Sequence, residues 1–133
     1  MYMSRGQFGA RQRYQAVDLS SRVEGSTPHQ LVAIMFDEAI KALEAMAVAA
    51  DRKDFSQRGA RQARALSIIG GLEVSLDFEN GGEIATGLAA IYREVRRLVL
   101  AGARDNNVQL LRQARDLLME ISGAWTAIAG QAG

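Results

Sequence analysis

Apolar residues recur every three or four positions through most of this chain, the spacing at which they share one face of an α-helix. From residue 26 onward there are four such stretches, each long enough for about five helical turns. Because the breaks between them are short, consecutive helices are expected to run antiparallel. The pattern predicts an all-α fold, an antiparallel up-down four-helix bundle over residues 26–130. Its predicted core seams are, helix by helix, Val32, Phe36, Ala39, Leu43, Met46 and Ala50; Ala65, Ile68, Ile69, Leu72 and Leu76; Ile84, Leu88, Ile91, Val95 and Leu98; and Leu111, Ala114, Leu118, Ile121, Trp125 and Ile128.

The breaks between seams predict where the helices end. The polar run DRKDFS at 51–56 ends the first helix. The second helix is predicted to reach Phe78, because the Asn-Gly-Gly run at 80–82 permits the left-handed backbone that stops a helix. The third and fourth helices are predicted at about 83–103 and 107–129, with Asn106 as a cap.

Residues 1–25 are predicted to form a flexible N-terminal arm rather than part of the bundle. Glycines interrupt any helical period there, while apolar residues such as Tyr14 are widely spaced. Two interpretations stay open, a disordered tail and a strap that lies over an apolar groove.

Composition excludes several classes of function. Sixteen basic and fifteen acidic residues leave a net charge of +1, whereas a nucleic-acid-binding domain is expected to carry a strongly basic face. The chain has no cysteine, which removes thiolate chemistry and disulfides. No stretch approaches the ~20 apolar residues that span a bilayer, and no apolar run near the N-terminus is typical of a secretory signal. An intracellular protein without a membrane span or nucleic-acid partner is expected.

The candidate chemistry is equally sparse. His29 is the only histidine, so the paired Glu-x-x-His motifs of carboxylate-bridged metal bundles cannot form. It follows Ser26, Thr27 and Pro28, residues typical of a helix start, and lacks the nearby lysine and glycine of phosphate-accepting histidines. We interpret His29 as a solvated first-turn residue that is dispensable for function. The sequence predicts a non-enzyme with no cofactor and no metal.

Two helices carry more apolar surface than a bundle needs. The first helix is apolar over about 200° of its circumference, where a stripe of about 100° would serve. The face of the second helix opposite its seam is small and almost uncharged, and it includes Gly70 and Gly71. Glycine inside a helix costs about 1 kcal/mol relative to alanine, so the pair indicates either a tolerated defect or the close approach of another backbone. The excess favours a protein-binding module.

Several segments occur in an order and spacing that resemble one known family. They are RYQ at 13–15, STPHQLVAIMFDEAIKAL at 26–43, ALSIIGGLEVSLDFENGGEIATGLAAIYREVRRLV at 65–99 and AW at 124–125. From Tyr14 to Ile128 the chain resembles the flagellin export chaperones of the FliS family. It departs from the family at Gly70–Gly71, where larger polar residues are usual, and in its long arginine-bearing arm.

The resemblance implies a cytoplasmic chaperone that binds the C-terminal segment of newly made flagellin in apolar surface grooves. Binding would prevent premature polymerisation and deliver flagellin to the flagellar type III export apparatus, with export-gate components or a flagellar regulator as further partners. The alternative is a helical adaptor or regulator that binds another flagellar protein, such as an anti-sigma factor or a co-chaperone. The protein is expected as a monomer or as a weak or swapped homodimer. Residues predicted to bind flagellin are Tyr14, Ile34, Ser67, Gly71, Val74, Phe78, Tyr92 and Leu100.

Overall fold

A computed structural model describes residues 23–132, with side chains to residue 128, and the described chain is entirely helical, without a strand. The predicted all-α bundle is therefore confirmed. The proposed N-terminal arm lies, up to residue 22, outside the described residues, and its boundary stays a prediction. The helices are α1, Pro28–Asp51; α2, Phe55–Val74; α3, Phe78–Arg104; and α4, Val108–Ala132.

Short polar side chains begin each helix. Thr27 accepts a hydrogen bond from the backbone N–H of Gln30 at 3.1 Å, and the Gln30 side chain accepts one from the Thr27 N–H at 3.0 Å. This reciprocal pair is a capping box, and it satisfies two N–H groups that no helical carbonyl can reach. Asp54 and Asp77 cap α2 and α3 by accepting from the backbone N–H groups of Gln57 and Asn80, without the reciprocal bond. At α4 the cap is Asn107, which accepts from the Gln109 N–H at 3.0 Å, rather than the predicted Asn106.

The four helices form a ring in which α1 packs between α2 and α4, and α3 completes the ring between them. Contacts between distant residues fix the antiparallel directions. His29, in the first turn of α1, contacts Trp125 near the end of α4, and Arg58 near the start of α2 contacts Asn106 after the end of α3. The core between the helices contains Phe36, Leu43, Met46, Ile69, Leu72, Tyr92, Val95, Val99, Leu111 and Leu118, each at most 1% exposed.

Most seam residues lie in or against this core, but two do not. Ile84 is 63% exposed and Ile128 is 46% exposed, although both were assigned to seams. The register of the helices explains the difference. Glu73, next to the last residue of α2, forms an ion pair with Arg96, which lies 18 residues after Phe78, the first residue of α3, so the start of α3 runs past the end of α2. Ile84 therefore has no α2 residue opposite it.

The connection between α2 and α3 differs from the prediction. Helix α2 ends at Val74, not at Phe78, and Phe78 begins α3. Asp77 starts the new helix early, because its carboxylate accepts from the backbone N–H of Asn80 at 3.1 Å and from the Asn80 amide at 2.7 Å. The predicted left-handed glycine is present at Gly82, with φ 49°, but it kinks α3 after one turn instead of ending α2.

At the opposite end of the bundle, Asn106 joins three elements. Its amide nitrogen donates to the carbonyl of Ala50 at 3.1 Å, and its amide oxygen accepts from Arg58 Nη1 at 2.8 Å. Its backbone has a positive φ of 47°, a conformation that asparagine tolerates better than most residues. This one side chain therefore fastens the end of α1 and the start of α2 to the α3–α4 connection.

Close packing at Gly102 gives a first prediction. A Cβ atom there would lie 2.6 Å from Leu111 Cδ2, 2.9 Å from Leu111 Cγ and 3.3 Å from the Asn107 carbonyl oxygen. Leu111 is fully buried and has little room to move, so we expect Gly102→Ala to lower the free energy of unfolding by about 1–3 kcal/mol, measured by chemical denaturation. Gly59→Ala is the matched control, because nothing lies within 4 Å of its Cβ position. It should raise stability by up to about 1 kcal/mol. Equal effects of the two changes would contradict this packing.

Candidate functional site

An apolar groove runs between the first half of α3 and the second half of α4, and it encloses about 450 Å³. We call it the α3–α4 groove. It exists because these helix segments extend past their neighbours: α3 runs beyond the end of α2, and Ile128 lies beyond the start of α1, whose first turn contacts Trp125. The lining residues are Glu83, Ile84, Gly87, Leu88 and Ile91 of α3, and Leu117, Glu120, Ile121, Ala124, Trp125 and Ile128 of α4.

The chemistry of the groove is that of a binding surface for an apolar segment. Only Glu83 and Glu120 among its lining residues are charged, and both are exposed. Gly87 contributes no side chain, and no atom lies within 4 Å of where its Cβ would be. Two adjacent antiparallel helices with a small residue between them form the kind of trough into which an amphipathic helix lays its apolar face.

One wall of the groove is formed by Trp125, whose side chain is contacted by His29 of α1. The indole Nε1–H donates to the His29 carbonyl oxygen at 2.9 Å, and the two rings are stacked with centroids 4.3 Å apart and planes 9° apart. His29 Nε2 lies 3.0 Å from the Trp125 carbonyl oxygen. His29 is partly buried, so its interpretation as a solvated residue was wrong. The sequence could not show this contact, since the partners are 96 residues apart.

The predicted α2 residues do not all lie on one outer face. Ser67 and Val74 are exposed, with Val74 87% exposed. Gly71 instead lies against α1, because a Cβ there would be 2.8 Å from the Cε of Met35. The nearest neighbour of Gly71 is therefore a side chain of α1 in the same chain, not another backbone.

The other predicted residues are scattered. Phe78 and Leu100 are 56% and 46% exposed, at opposite ends of α3. Ile34 is partly buried on α1. Tyr92 is 1% exposed and packs against Phe36 with ring centroids 6.3 Å apart, so it is a core residue. Tyr14 lies outside the described residues.

Sequence reasoning missed the α3–α4 groove because it placed most of its apolar residues in core seams. Helical periodicity shows which residues share a face, but not whether a neighbouring helix is long enough to cover that face. The available signal was Asp77, a good capping residue four positions after Glu73. Had it been taken as the start of α3, α2 would have been predicted short, and the uncovered segment around Ile84 would have followed.

The described residues offer little other chemistry. Within 23–132, no cluster of histidine, aspartate and glutamate could hold a metal ion. Of the described helices, none has the length and apolar character needed to cross a membrane.

Comparison with known proteins identifies the family of this chain. Residues 10–132 match the model of the family described as flagellar protein FliS. The flagellar secretion chaperone FliS of Salmonella typhimurium (strain LT2) is 37% identical over 121 residues, which cover 90% of this chain and 89% of that protein. The flagellar secretion chaperone FliS of Escherichia coli (strain K12) is 32% identical over 127 residues, covering 94% and 90%. Flagellar secretion chaperone FliSB of Pseudomonas aeruginosa is 29% identical over 120 residues, covering 90% and 95%.

These matches define the class as flagellar secretion chaperones, and in this chain the fold is a helical bundle. The chain belongs to the FliS family, as its sequence motifs indicated.

The burial of Tyr92 gives a second prediction. Burial raises the pKa of Tyr92 to about 12, above the value of about 10 for an exposed tyrosine. The neutral ring therefore contributes stability that is fully present below about pH 10 and is lost as the pH rises to about 12, because the unfolded chain ionises first. Tyrosinate absorbance during an alkaline titration should show one tyrosine that ionises near pH 12, and Tyr92→Phe should remove that step. Ionisation of Tyr92 near pH 10 in the folded protein would contradict its place in the core.

Proposed function

We propose that this protein is a cytoplasmic export chaperone that binds the C-terminal segment of flagellin. Binding prevents premature polymerisation and delivers flagellin to the flagellar type III export apparatus. The observation that carries the proposal is the open α3–α4 groove, an apolar surface left uncovered in a chain of the FliS family. A groove with two exposed isoleucines, Ile84 and Ile128, has a free-energy gain available from a ligand that covers them, since burial of an apolar side chain contributes about 1.5–3 kcal/mol.

The dimensions of the groove favour a short helix as its occupant. The α3 part of the lining runs from Glu83 to Ile91, about 12 Å along the helix axis at 1.5 Å per residue. A ligand helix of two to three turns presents apolar anchors at i, i+3 or i+4, and i+7 over that length.

A second apolar area lies at the same end of the bundle. Val74 ends α2 and Phe78 begins α3, and both side chains are mostly exposed. We propose that flagellin continues from the α3–α4 groove onto this corner, with Ser67 and Ile34 at its margin. Gly71 and Tyr92 would then support the surface from beneath, through Met35 and Phe36.

The proposal includes two further flagellin contacts, Tyr14 and Leu100. Tyr14 belongs to the predicted arm, and Leu100 lies in the far half of α3. Export-gate components or a flagellar regulator would be further partners, and Leu100 offers an exposed apolar contact away from the groove.

Substitutions in the groove give the main test. We expect a synthetic peptide of the C-terminal flagellin segment to bind saturably to the full chain. Ile84→Lys and Ile128→Lys should each lower its affinity at least tenfold, or about 1.4 kcal/mol, because they place a charge beneath an apolar ligand. Melting temperatures should stay near the wild-type value, since both side chains are largely exposed.

Val48→Lys is the matched control for this test. Val48 is 49% exposed, close to Ile128 at 46%, but it lies on α1 outside the groove. It should bind the peptide as wild type does. Wild-type affinity in both groove variants would move the site elsewhere, and binding of an anti-sigma factor or co-chaperone without binding of flagellin peptide would favour the adaptor alternative.

The thermodynamics of binding provide an independent prediction. If a disordered flagellin segment folds into the groove, about 1,000–3,000 Å² should be buried and the heat-capacity change should be clearly negative. A net charge of +1 gives little electrostatic steering, so moderate salt should change the affinity only slightly. Titration calorimetry at several temperatures and salt concentrations measures both. A heat-capacity change near zero, or a collapse of affinity in salt, would contradict an apolar interface.

A further inference from the structure

His29 and Trp125 form a reciprocal contact that ties the groove wall to α1. Each residue offers its backbone carbonyl to the other's ring: the Trp125 indole donates to His29 at 2.9 Å, and His29 Nε2 lies 3.0 Å from the Trp125 carbonyl oxygen. Because a carbonyl oxygen can only accept, Nε2 must carry the proton in this arrangement. The rings are also stacked face to face, 4.3 Å between centroids.

We infer that His29 is a positioning residue for the α3–α4 groove, which fixes the indole of Trp125 as one wall of the site. The expected effect of His29 on ligand binding rests on the proposed function. His29 is not among the residues that line the groove, so its effect on a ligand acts through Trp125.

The surroundings of Trp125 show why its orientation depends on His29. Phe36 meets the indole edge-on, with centroids 6.2 Å apart and planes 79° apart, while His29 covers a ring face. A partly buried indole N–H requires an acceptor, and the His29 carbonyl is that acceptor. If the imidazole is removed, the indole loses its stacked neighbour and the open side of the ring is the α3–α4 groove, where no helix stands in its way.

The same contacts also join α1 to α4. An effect of His29 on the position of the indole must therefore be separated from its effect on the stability of this helix pair. Gln30 supplies the control, because it stabilises the same first turn by completing the capping box with Thr27. Within residues 23–132, the one hydrogen bond of the Gln30 side chain is accepted from the backbone N–H of Thr27. Gln30→Ala therefore weakens the start of α1 and leaves the imidazole on the indole.

The full chain contains one tryptophan, so near-ultraviolet circular dichroism and indole fluorescence report Trp125 directly. We expect His29→Ala to lose most of the near-ultraviolet tryptophan signal and to shift its emission, with far-ultraviolet helicity unchanged. Its affinity for the synthetic C-terminal flagellin peptide should fall at least fivefold. His29→Phe, which keeps a stacked ring, and His29→Gln, which keeps a donor, should each recover part of both losses. Gln30→Ala should lower the melting temperature while indole spectra and affinity stay at wild-type values.

Two results would overturn the inference. One is an indole spectrum in His29→Ala equal to wild type, and the other is a loss of affinity in Gln30→Ala as large as in His29→Ala at the same loss of stability. If His29→Ala does not fold, the Phe and Gln variants decide by the same comparison. If the wild-type chain does not bind the peptide at all, the proposed function fails and the binding consequence with it. The spectra then still show whether His29 fixes the indole.

Discussion

The different lengths of α2 and α3 are the constraint on which the rest of this structure depends. Helix α2 ends at Val74, whereas α3 begins at Phe78 and is kinked at Gly82. The Glu73–Arg96 ion pair sets their register, so the first part of α3 has α4 on one side and no α2 residue on the other. A bundle with four matched helices would bury Ile84 and Ile128. This one leaves them in an open trough, at a cost in apolar exposure that a ligand can recover.

The two ends of the bundle are built differently. At one end Asn106 closes the structure with hydrogen bonds to Ala50 and Arg58. At the other end the contacts are aromatic: His29 on Trp125, Trp125 on Phe36, and Phe36 on Tyr92. This row of rings leads from the surface of the groove to the centre of the core, where Tyr92 is almost fully buried. Trp125, a wall of the groove, is therefore connected to the buried core through these ring contacts.

The FliS family membership and the groove address different questions. Similarity over 90% of the chain to proteins named flagellar secretion chaperones identifies the class. It does not say which residues form a binding surface on this bundle. The exposure of Ile84 and Ile128 and the contact of His29 with Trp125 locate apolar area that the fold leaves uncovered, and the proposed binding surface rests on that area.

The sequence by itself determined the four helices, their antiparallel order and most of the core. Residues such as Phe36, Leu43, Ile69 and Leu118 recur with helical spacing, and periodicity needs only local information. Only the tertiary structure decided which apolar residues stay uncovered. The places of Ile84, Gly71, Tyr92 and His29 all differ from the sequence prediction. Each depends on where a second helix ends or how closely it approaches: the end of α2 for Ile84, Met35 for Gly71, Phe36 for Tyr92, and Trp125 for His29. Those distances are set by packing between residues far apart in the chain, which no pattern along a single helix contains.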